Sequence, residues 1–253
     1  MAAPSGEGAA ILQVRSLTRR FGNLIAVNDV SFDVPEGTIY GIAGPNGAGK
    51  SVLFATISGF YRPTSGSIRF DDRDIVGMGP SDVCQLGLTR TFQTPTLFHS
   101  LTVRDNLRIG ALFGRPKSDR DVPRLLDFLE LGGVADARAT NLDLFTTKKV
   151  VLGAALATSP RLLLLDEPMA GFSHVEVDGY RDLVTRIRAE WGVTIVIIEH
   201  LLDELIGLSD RMLVLHYGSV LFEGDPDEVK GHPEVVSVYL GGGLDDDEAG
   251  GEE

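Results

Sequence analysis

The chain has 253 residues, of which 43% are hydrophobic and 23% are charged, and this balance excludes a chain that is disordered throughout. The formal net charge of −13 argues against nucleic acid as the main partner, because phosphate binding needs a basic surface. The single cysteine, Cys84, cannot form an intramolecular disulfide, and this favours a cytosolic chain.

The two ends of the chain differ in composition from its body. Residues 1–10 contain neither a basic segment nor a long apolar run, so they predict a flexible end rather than a secretory signal. Residues 242–253 form an acidic tail, and removing its six acidic side chains would change the net charge from −13 to −7. A run of this kind is typically solvated and disordered. The longest apolar runs fall far short of the roughly 20 residues that a membrane-spanning helix needs.

Apolar periodicity and turn residues predict strands that alternate with helices along the body of the chain. The predicted strands are residues 11–21, 30–34, 38–43, 67–70, 162–165, 193–198 and 212–215. The predicted helices are residues 50–59, 102–131 and 146–158. Apolar strands separated by helices favour an α/β fold with a largely parallel sheet covered on both faces. The stretch of about 90–158 reads as helix only and is predicted to be an inserted helical subdomain.

A phosphate-binding loop is predicted after the third strand. Residues 44–51 match the P-loop pattern, with a strand before them and a helix after them. The glycines let backbone amides surround phosphates, Lys50 brings a positive charge to the β- and γ-phosphates, and the Ser51 hydroxyl is a ligand for Mg²⁺. An ordinary glycine-rich turn is the alternative. The predicted nucleotide-binding residues are Gly44, Pro45, Asn46, Gly47, Ala48, Gly49, Lys50, Ser51 and Val52.

Polar side chains follow two later apolar strands. Ligands of open α/β sheets bind at the carboxyl ends of strands, so Asp166 is predicted to join the Mg²⁺ shell and Glu167 to orient or deprotonate the attacking water. His200, after the strand at 193–198, can hydrogen-bond the γ-phosphate or the water as a neutral imidazole. A solvated acidic turn and a structural histidine are the alternatives.

Together these motifs resemble those of the ATP-binding subunits of ABC transporters, over about residues 11–241. The resemblance implies a P-loop NTPase fold in which a mostly parallel sheet is joined by an antiparallel β subdomain and the inserted helical subdomain. It implies ATP and Mg²⁺ as cofactors, and ATP hydrolysis coupled to transport of a solute across a membrane. Lys50 and Ser51 correspond to Walker A, Asp166 and Glu167 to Walker B, and His200 to the switch histidine.

The same resemblance implies roles for further positions. Gln93 corresponds to the Q-loop glutamine, which contacts Mg²⁺ and water and senses the membrane subunit. Phe21 corresponds to the aromatic residue that stacks on adenine, although a core phenylalanine is the alternative. Residues 170–173 resemble the D-loop. Residues 94–98 and Leu101 are the predicted contacts with the membrane subunits, with packing inside the subdomain as the alternative.

The subfamily and the partners are also indicated by resemblance. Residues 19–32, 88–93 and 232–241 are similar to the ATPases of branched-chain amino acid transporters, and urea and amide importers share much of this pattern. The implied partners are integral membrane permeases, a second ABC ATPase or a second copy of this chain, and indirectly an extracytoplasmic solute-binding protein. The implied location is the cytoplasmic face of the cell membrane, as a peripheral subunit.

One segment departs from the family pattern Leu-Ser-Gly-Gly-Gln, the signature motif. It consists of Leu142, Asp143, Leu144, Phe145 and Thr146, so only the leucine is kept. In the family, this motif of one subunit completes the ATP site of the other through its serine and glycine amides. Asp143 in the serine's place would add a repulsion of about 3 kcal/mol against a phosphate charge. Compensation by Lys148 or Lys149, and a segment that only caps the next helix, are the alternatives.

Two functions follow from these patterns. The chain is predicted to be the ATPase of a membrane importer, with one active and one weakened ATP site in a heterodimer and two weakened sites in a homodimer. The alternative is an ATP-binding regulatory subunit with weak hydrolysis. A soluble ABC protein of DNA repair or translation is a third option, but such proteins usually carry a long coiled coil or a second ATPase domain.

Overall fold

The computed structural model describes residues 9–115, 121–200 and 202–241, without the side chains of Leu240 and Gly241. Most of the predicted flexible N-terminus, and the whole predicted acidic tail at 242–253, lie outside these residues. The first elements are β1 (Ala10–Phe21), β2 (Leu24–Pro35), β3 (Ile39–Ala43), α1 (Lys50–Ile57), β4 (Ser65–Phe70), β5 (Arg73–Asp74), α2 (Pro80–Leu86), β6 (Leu88–Arg90), α3 (Val103–Phe113) and α4 (Val122–Phe128). The remaining elements are α5 (Leu144–Ala157), β7 (Leu162–Asp166), α6 (His174–Trp191), β8 (Thr194–Ile198), α7 (Leu202–Ile206), β9 (Arg211–His216), β10 (Ser219–Gly224), α8 (Pro226–Val229) and α9 (Pro233–Gly241).

A six-stranded sheet forms the centre of the fold, in the order β10-β9-β3-β8-β7-β6. All neighbouring pairs are parallel except β10 with β9. Every residue of β3, β7 and β8 is buried, as expected for apolar strands covered on both faces. The predicted parallel sheet is confirmed, and the carboxyl ends of β3, β8, β7 and β6 meet at one edge.

A second, antiparallel sheet covers one face of the first. Its order is β2-β1-β4-β5. Its apolar side chains share one core with α1 and with one face of the parallel sheet. The opposite face of the parallel sheet packs on α3, α4, α5 and α6 in a second core. This arrangement confirms the predicted fold class, and helices α3 to α5 occupy the range predicted for the inserted subdomain.

Several predicted bounds were wrong, and three of the errors have a clear physical reason. The second strand covers Leu24–Pro35 rather than 30–34, because its pairing with β1 continues past Asp29, whose φ of 52° marks an irregularity in the strand. The predicted helix at 102–131 is two helices, because α3 ends at Phe113, with Gly114 as its C-cap, and a new helix starts with Pro123 in its first turn. Two short 3-10 segments and a β-bridge between Thr102 and Arg138 also interrupt the stretch that was predicted to be helix only.

The third error concerns α5, which begins at Leu144 rather than at residue 146. Asp143 is its N-cap and accepts a hydrogen bond from the backbone N–H of Thr146 over 2.7 Å.

In the part of the chain that the structure describes, no helix is both long enough and apolar enough to span a membrane.

Candidate functional site

The candidate site lies where four neighbouring parallel strands end. The P-loop follows β3, Glu199 and His200 follow β8, Glu167 follows β7, and Gln93 lies three residues after β6. Because these strands are adjacent and parallel, side chains that are far apart in sequence come together at one edge.

The P-loop has a backbone that only glycine permits at two positions. Gly49 has a φ of 100°, and a Cβ there would collide with the backbone oxygen of Ala26. Gly44 has a φ of 149°, and a Cβ there would collide with the backbone oxygen of Leu215. The β1–β2 hairpin and the end of β9 therefore hold the loop tightly in place, with its amides at the start of α1.

The Lys50 side chain is folded back onto the P-loop. Its Nζ donates to the backbone oxygens of Gly44 over 2.5 Å and of Pro45 over 3.1 Å. Burial lowers the pKa of Lys50, and the carboxylates of Glu167 and Asp166 oppose this shift. Lys50 is thus a buried cation held by two neutral carbonyls, and phosphate oxygens would be stronger acceptors for it.

Gln93 and Glu167 are in direct contact. The Gln93 Nε2 donates to Oε2 of Glu167 over 2.6 Å, and both side chains line the same cavity. Glu167 has a φ of 45°, in the left-handed region, and its backbone N–H donates to the oxygen of Ile198 over 3.0 Å. A strained backbone tied to β8 therefore fixes the direction of this carboxylate.

Asp166 lies deeper than Glu167, at the last position of β7. Its Oδ2 accepts a hydrogen bond from Nη2 of Arg90 over 2.7 Å. Its Oδ1 is buried without a hydrogen-bond partner in the described residues. The carboxylate is thus paired on one oxygen, while its second oxygen is buried and has no partner in the described residues.

His200 is next to a buried carboxylate. Its Nδ1 lies 3.9 Å from Oε2 of Glu199, and its side chain is partly exposed. Oε1 of Glu199 accepts a hydrogen bond from the backbone N–H of Met169 over 2.8 Å, three residues after Asp166. Burial raises the pKa of Glu199 to about 7, although the Met169 N–H opposes the shift. Glu199 therefore ties the end of β8 to the turn after β7.

An open cavity of about 520 Å³ lies over the P-loop. Its lining joins the P-loop to Gln93 and Glu167, and it adds Leu24, Ile25 and Tyr217. Five of the predicted site residues are not among its lining residues in the described chain: Phe21, Gly44, Pro45, Asp166 and His200. The Phe21 ring is 39% exposed and lies 5.2 Å from the ring of Tyr61, with the Arg19 guanidinium 4.3 Å above it.

The signature segment packs against the chain's own D-loop region. The Phe145 ring lies 5.2 Å from that of Phe172, and Lys148 donates from Nζ to the backbone oxygen of Ala170 over 2.7 Å. Lys149 instead lies 3.8 Å from a carboxylate oxygen of Glu130. Both lysines are engaged inside the chain, and this favours the capping interpretation of the segment over compensation for Asp143.

The predicted membrane-subunit contacts separate into two groups. Leu97 is buried in the core of the helical subdomain, while Phe98 is 58% exposed. A separate cavity of about 370 Å³ is lined by Phe60, Phe92 and Phe113, which are all exposed. Exposed aromatic side chains around a cavity are typical of an interaction surface.

Sequence reasoning missed three residues of this region, Arg90, Glu199 and Tyr217, and it did not foresee the contact of Lys148 with Ala170. Glu199 carried a usable signal, since a charged residue directly after a buried strand often lies at a site. Tyr217 precedes a glycine in a short hairpin turn, which gives no indication that it reaches the P-loop. The contacts of Arg90 and Lys148 depend on tertiary packing and have no local pattern.

The donors available to a metal are oxygen atoms. The Ser51 hydroxyl, the Gln93 amide oxygen and the orphaned Oδ1 of Asp166 are the hard ligands that Mg²⁺ prefers. Among the described residues there is no cluster of three histidine, cysteine or acidic side chains that would hold a metal alone. This set fits a magnesium ion that takes its other ligands from nucleotide phosphates and water.

Comparisons with known proteins agree with this geometry. A family model described as ABC transporter matches residues 27–170, and one described as branched-chain amino acid ATP-binding cassette transporter matches residues 219–245. The chain is 34% identical to the high-affinity branched-chain amino acid transport ATP-binding protein BraF of Pseudomonas aeruginosa, covering 91% of this chain and 98% of the relative. It is 33% identical to the corresponding protein LivG of Escherichia coli strain K12, with the same coverage.

Solved structures of similar chains have the same fold. A nucleotide-free ATP-binding cassette from an ABC transporter superposes with a TM-score of 0.82 at 33% identity, covering 91% of this chain and 99% of that chain. A cassette in its ADP conformation gives a TM-score of 0.84 at 32% identity, covering 92% and 99%.

Proposed function

The chain belongs to the ABC transporter family of ATP-binding proteins and is an ATPase, and from this premise we propose that it powers a membrane importer of branched-chain amino acids. Related small amide or amino acid solutes are included, because urea and amide importers share much of the sequence pattern. The proposal is supported by the names of BraF and LivG and by the second family match near the C-terminus.

The observation that carries the proposal is the meeting of the P-loop, Gln93 and Glu167 around one cavity. On ATP binding, Lys50 would exchange its two carbonyl acceptors for phosphate oxygens, which are stronger acceptors because they are charged. Glu167 would accept a proton from the attacking water, and Gln93, already in contact with Glu167, would orient that water. His200 would hydrogen-bond the γ-phosphate, and Phe21 would stack on adenine.

Magnesium is the second cofactor of this proposal. When bound with ATP, it would neutralise charge on the transferring phosphate. Ser51, Gln93 and Asp166 would hold it, and the unpaired Oδ1 of Asp166 supports this assignment.

Permeases are the proposed partners, and they would place this chain at the cytoplasmic face of the membrane as a peripheral subunit. The proposed contact surface is the exposed aromatic group of Phe60, Phe92, Phe98 and Phe113 beside Gln93. The position of this surface supports coupling between the permeases and the ATP site, because Phe92 is adjacent to Gln93, which contacts Glu167.

The test is uptake by the complete complex in proteoliposomes, with ATP inside the compartment that faces this chain. We expect ATP-dependent uptake of leucine, isoleucine or valine, and competition by these solutes. Glu167→Gln should keep ATP binding but lower turnover by about 100-fold or more, because a general base typically contributes that much. Glu190→Gln, the same change at an exposed pair with Arg186, is the matched control.

Either of two results would overturn the proposal. Wild-type turnover in the Glu167→Gln complex would remove Glu167 from the chemistry. A complex that hydrolyses ATP but takes up neither branched-chain amino acids nor small amides would contradict the proposed transport.

A second candidate function is favoured by Asp143. A negative charge at the position of the signature serine would weaken the ATP site of a partner, as in a regulatory subunit with weak hydrolysis. This candidate predicts slow turnover in the complete complex even with Glu167 intact, whereas the first predicts fast turnover by at least one site.

A further inference from the structure

Arg90 and Asp166 form an ion pair inside the protein, on the neighbouring parallel strands β6 and β7. The two atoms, Nη2 and Oδ2, are 2.7 Å apart, and the side chains are only 9% and 4% exposed. A buried charge is costly unless it is paired, so each of these side chains depends on the other.

Three aromatic rings lie close to the Arg90 guanidinium. Its Cζ lies 5.1 Å from the ring centroid of Phe92, 5.9 Å from that of Phe60 and 6.0 Å from that of Phe54. Such rings attract a cation without accepting its strong hydrogen bonds. The Ser58 hydroxyl, 3.5 Å from Nη1, is a weak acceptor at best. Asp166 is therefore the strongest hydrogen-bond acceptor that the described residues offer to Arg90.

The pairing makes the two oxygens of Asp166 different. Oδ2 is held by Arg90, while Oδ1 is buried and has no hydrogen-bond partner in the described residues. Buried polar atoms without partners are rare and often belong to a site that binds something else. The charge-assisted bond to Arg90 also fixes the rotation of the carboxylate and therefore the direction of Oδ1.

We propose that Arg90 is a positioning residue that holds one oxygen of Asp166 so that the other faces Mg²⁺ or a water in its shell. This inference rests on the proposed role of Asp166 at the metal. Groups that hold a metal ligand in place typically contribute 10- to 100-fold to metal affinity. Arg90 is absent from the lining of the P-loop cavity, so nucleotide affinity without metal should not depend on it.

The experiment uses the full chain and a non-hydrolysable ATP analogue, so that hydrolysis plays no part. Affinity for the analogue is measured by calorimetry in EDTA, and Mg²⁺ is then titrated at saturating analogue. Arg90→Met should weaken Mg²⁺ binding, so that the half-saturating Mg²⁺ concentration rises by about 10- to 100-fold. Its affinity for the analogue in EDTA should stay within about twofold of the wild type. Arg90→Lys keeps the charge but not the planar fork, and should recover part of the Mg²⁺ affinity.

Arg104→Met is the matched control, because it removes an arginine–carboxylate pair of similar length, 2.9 Å to Asp136, at an exposed site in the helical subdomain. It should leave both affinities unchanged. Thermal unfolding reports whether each variant is folded. If Arg90→Met does not fold, Arg90→Lys and Phe92→Leu, which loosens the ring cluster, carry the test, and both should lower Mg²⁺ affinity selectively.

Unchanged Mg²⁺ affinity in the folded Arg90 variants, or tighter Mg²⁺ binding, would overturn the inference. An equal loss of affinity in EDTA and in Mg²⁺ would also overturn it, since it would indicate a general structural role. A wild-type chain that does not bind the analogue at all would instead refute the proposed function, and this inference with it.

Discussion

At the scale of single residues, Tyr217 brings an aromatic side chain to the nucleotide cavity. The residue is 81% exposed and has a φ of 45° in the turn between β9 and β10. The turn is fixed to the P-loop, because the Gly218 N–H donates to the backbone oxygen of Ala48 over 3.0 Å. A rigid, exposed ring beside a phosphate loop is well placed to stack on a base or ribose.

We expect Tyr217→Ala to weaken ATP binding by roughly 1 kcal/mol, about fivefold, because stacking on an aromatic ring contributes at this level. Tyr217→Phe keeps the ring and should bind as the wild type does. Inorganic triphosphate, which has no base, should bind both variants equally in calorimetry. Loss of triphosphate affinity in Tyr217→Ala would show instead that the P-loop had moved, and no change for ATP would leave Phe21 as the better candidate for stacking.

Glu199 is a buried carboxylic acid whose charge state responds to pH near neutrality. Five ionisable groups interact with it: Lys50, Lys148, Glu167, Tyr180 and His200. Burial, the largest cause, raises its pKa from 4.5 to about 7. The folded state therefore binds a proton more tightly than the unfolded chain does. The resulting cost to stability begins near pH 4.5, grows as pH rises and levels off above pH 7.

Glu199→Gln should remove this cost. We expect the free energy of unfolding of the variant to exceed that of the wild type at pH 8 by up to about 3 kcal/mol, the limit set by the shift of the pKa. The advantage should shrink toward pH 5, where folded Glu199 is protonated in the wild type. Urea denaturation at several pH values measures this difference. A variant that is less stable at pH 8 would indicate that the ionised carboxylate contributes more through Met169 and Lys148 than burial costs.

At the scale of elements, helix α5 connects the signature segment to the D-loop. Asp143 caps the helix by accepting from the backbone N–H and the hydroxyl of Thr146, and these contacts hold its pKa below the ordinary value. The same side chain carries the charge that would face a partner's ATP. Two substitutions separate the cap from the charge.

Asp143→Ala removes both the helix cap and the negative charge, and it should lower the free energy of unfolding by about 1 kcal/mol. Asp143→Ser keeps a capping oxygen and should stay within about 0.5 kcal/mol of the wild type. Both remove the charge, so both should raise ATP turnover of the complete complex if Asp143 weakens a site. Chemical denaturation and an ATPase assay measure the two effects. Higher turnover in neither variant would limit Asp143 to its capping role.

The elements also show which features the sequence could predict. Strands β3, β7 and β8 are continuous apolar runs, and the P-loop has a fixed pattern, so their positions followed from local signals. Strand β6 has only three residues, too few for a periodic signal, and the ion pair of Arg90 with Asp166 arises only when β6 pairs with β7. The start of helix α6 has a local signal, because Glu176 accepts a hydrogen bond from the backbone N–H of Ser173 in a capping box.

At the scale of the whole molecule, the net charge of −13 and the nucleotide cavity are independent features. The site offers a phosphate loop and Lys50 to a polyanion, so local geometry decides binding although the global charge opposes it.

The two ATP sites of a head-to-tail dimer would also differ from each other. In a heterodimer, this chain's own ATP would meet the partner's signature segment, while the partner's ATP would meet Asp143.

This arrangement predicts unequal effects of the same substitution in the two subunits. In the purified complex with a second ATPase and the permeases, Glu167→Gln in this chain should remove most ATP turnover, because the site with the intact partner signature is lost. The equivalent glutamate-to-glutamine change in the partner should leave most turnover, because that site is already slowed by the Asp143 charge. Equal losses from both would contradict the asymmetry, as would fast cooperative turnover by this chain alone, since a homodimer would contain Asp143 at both sites.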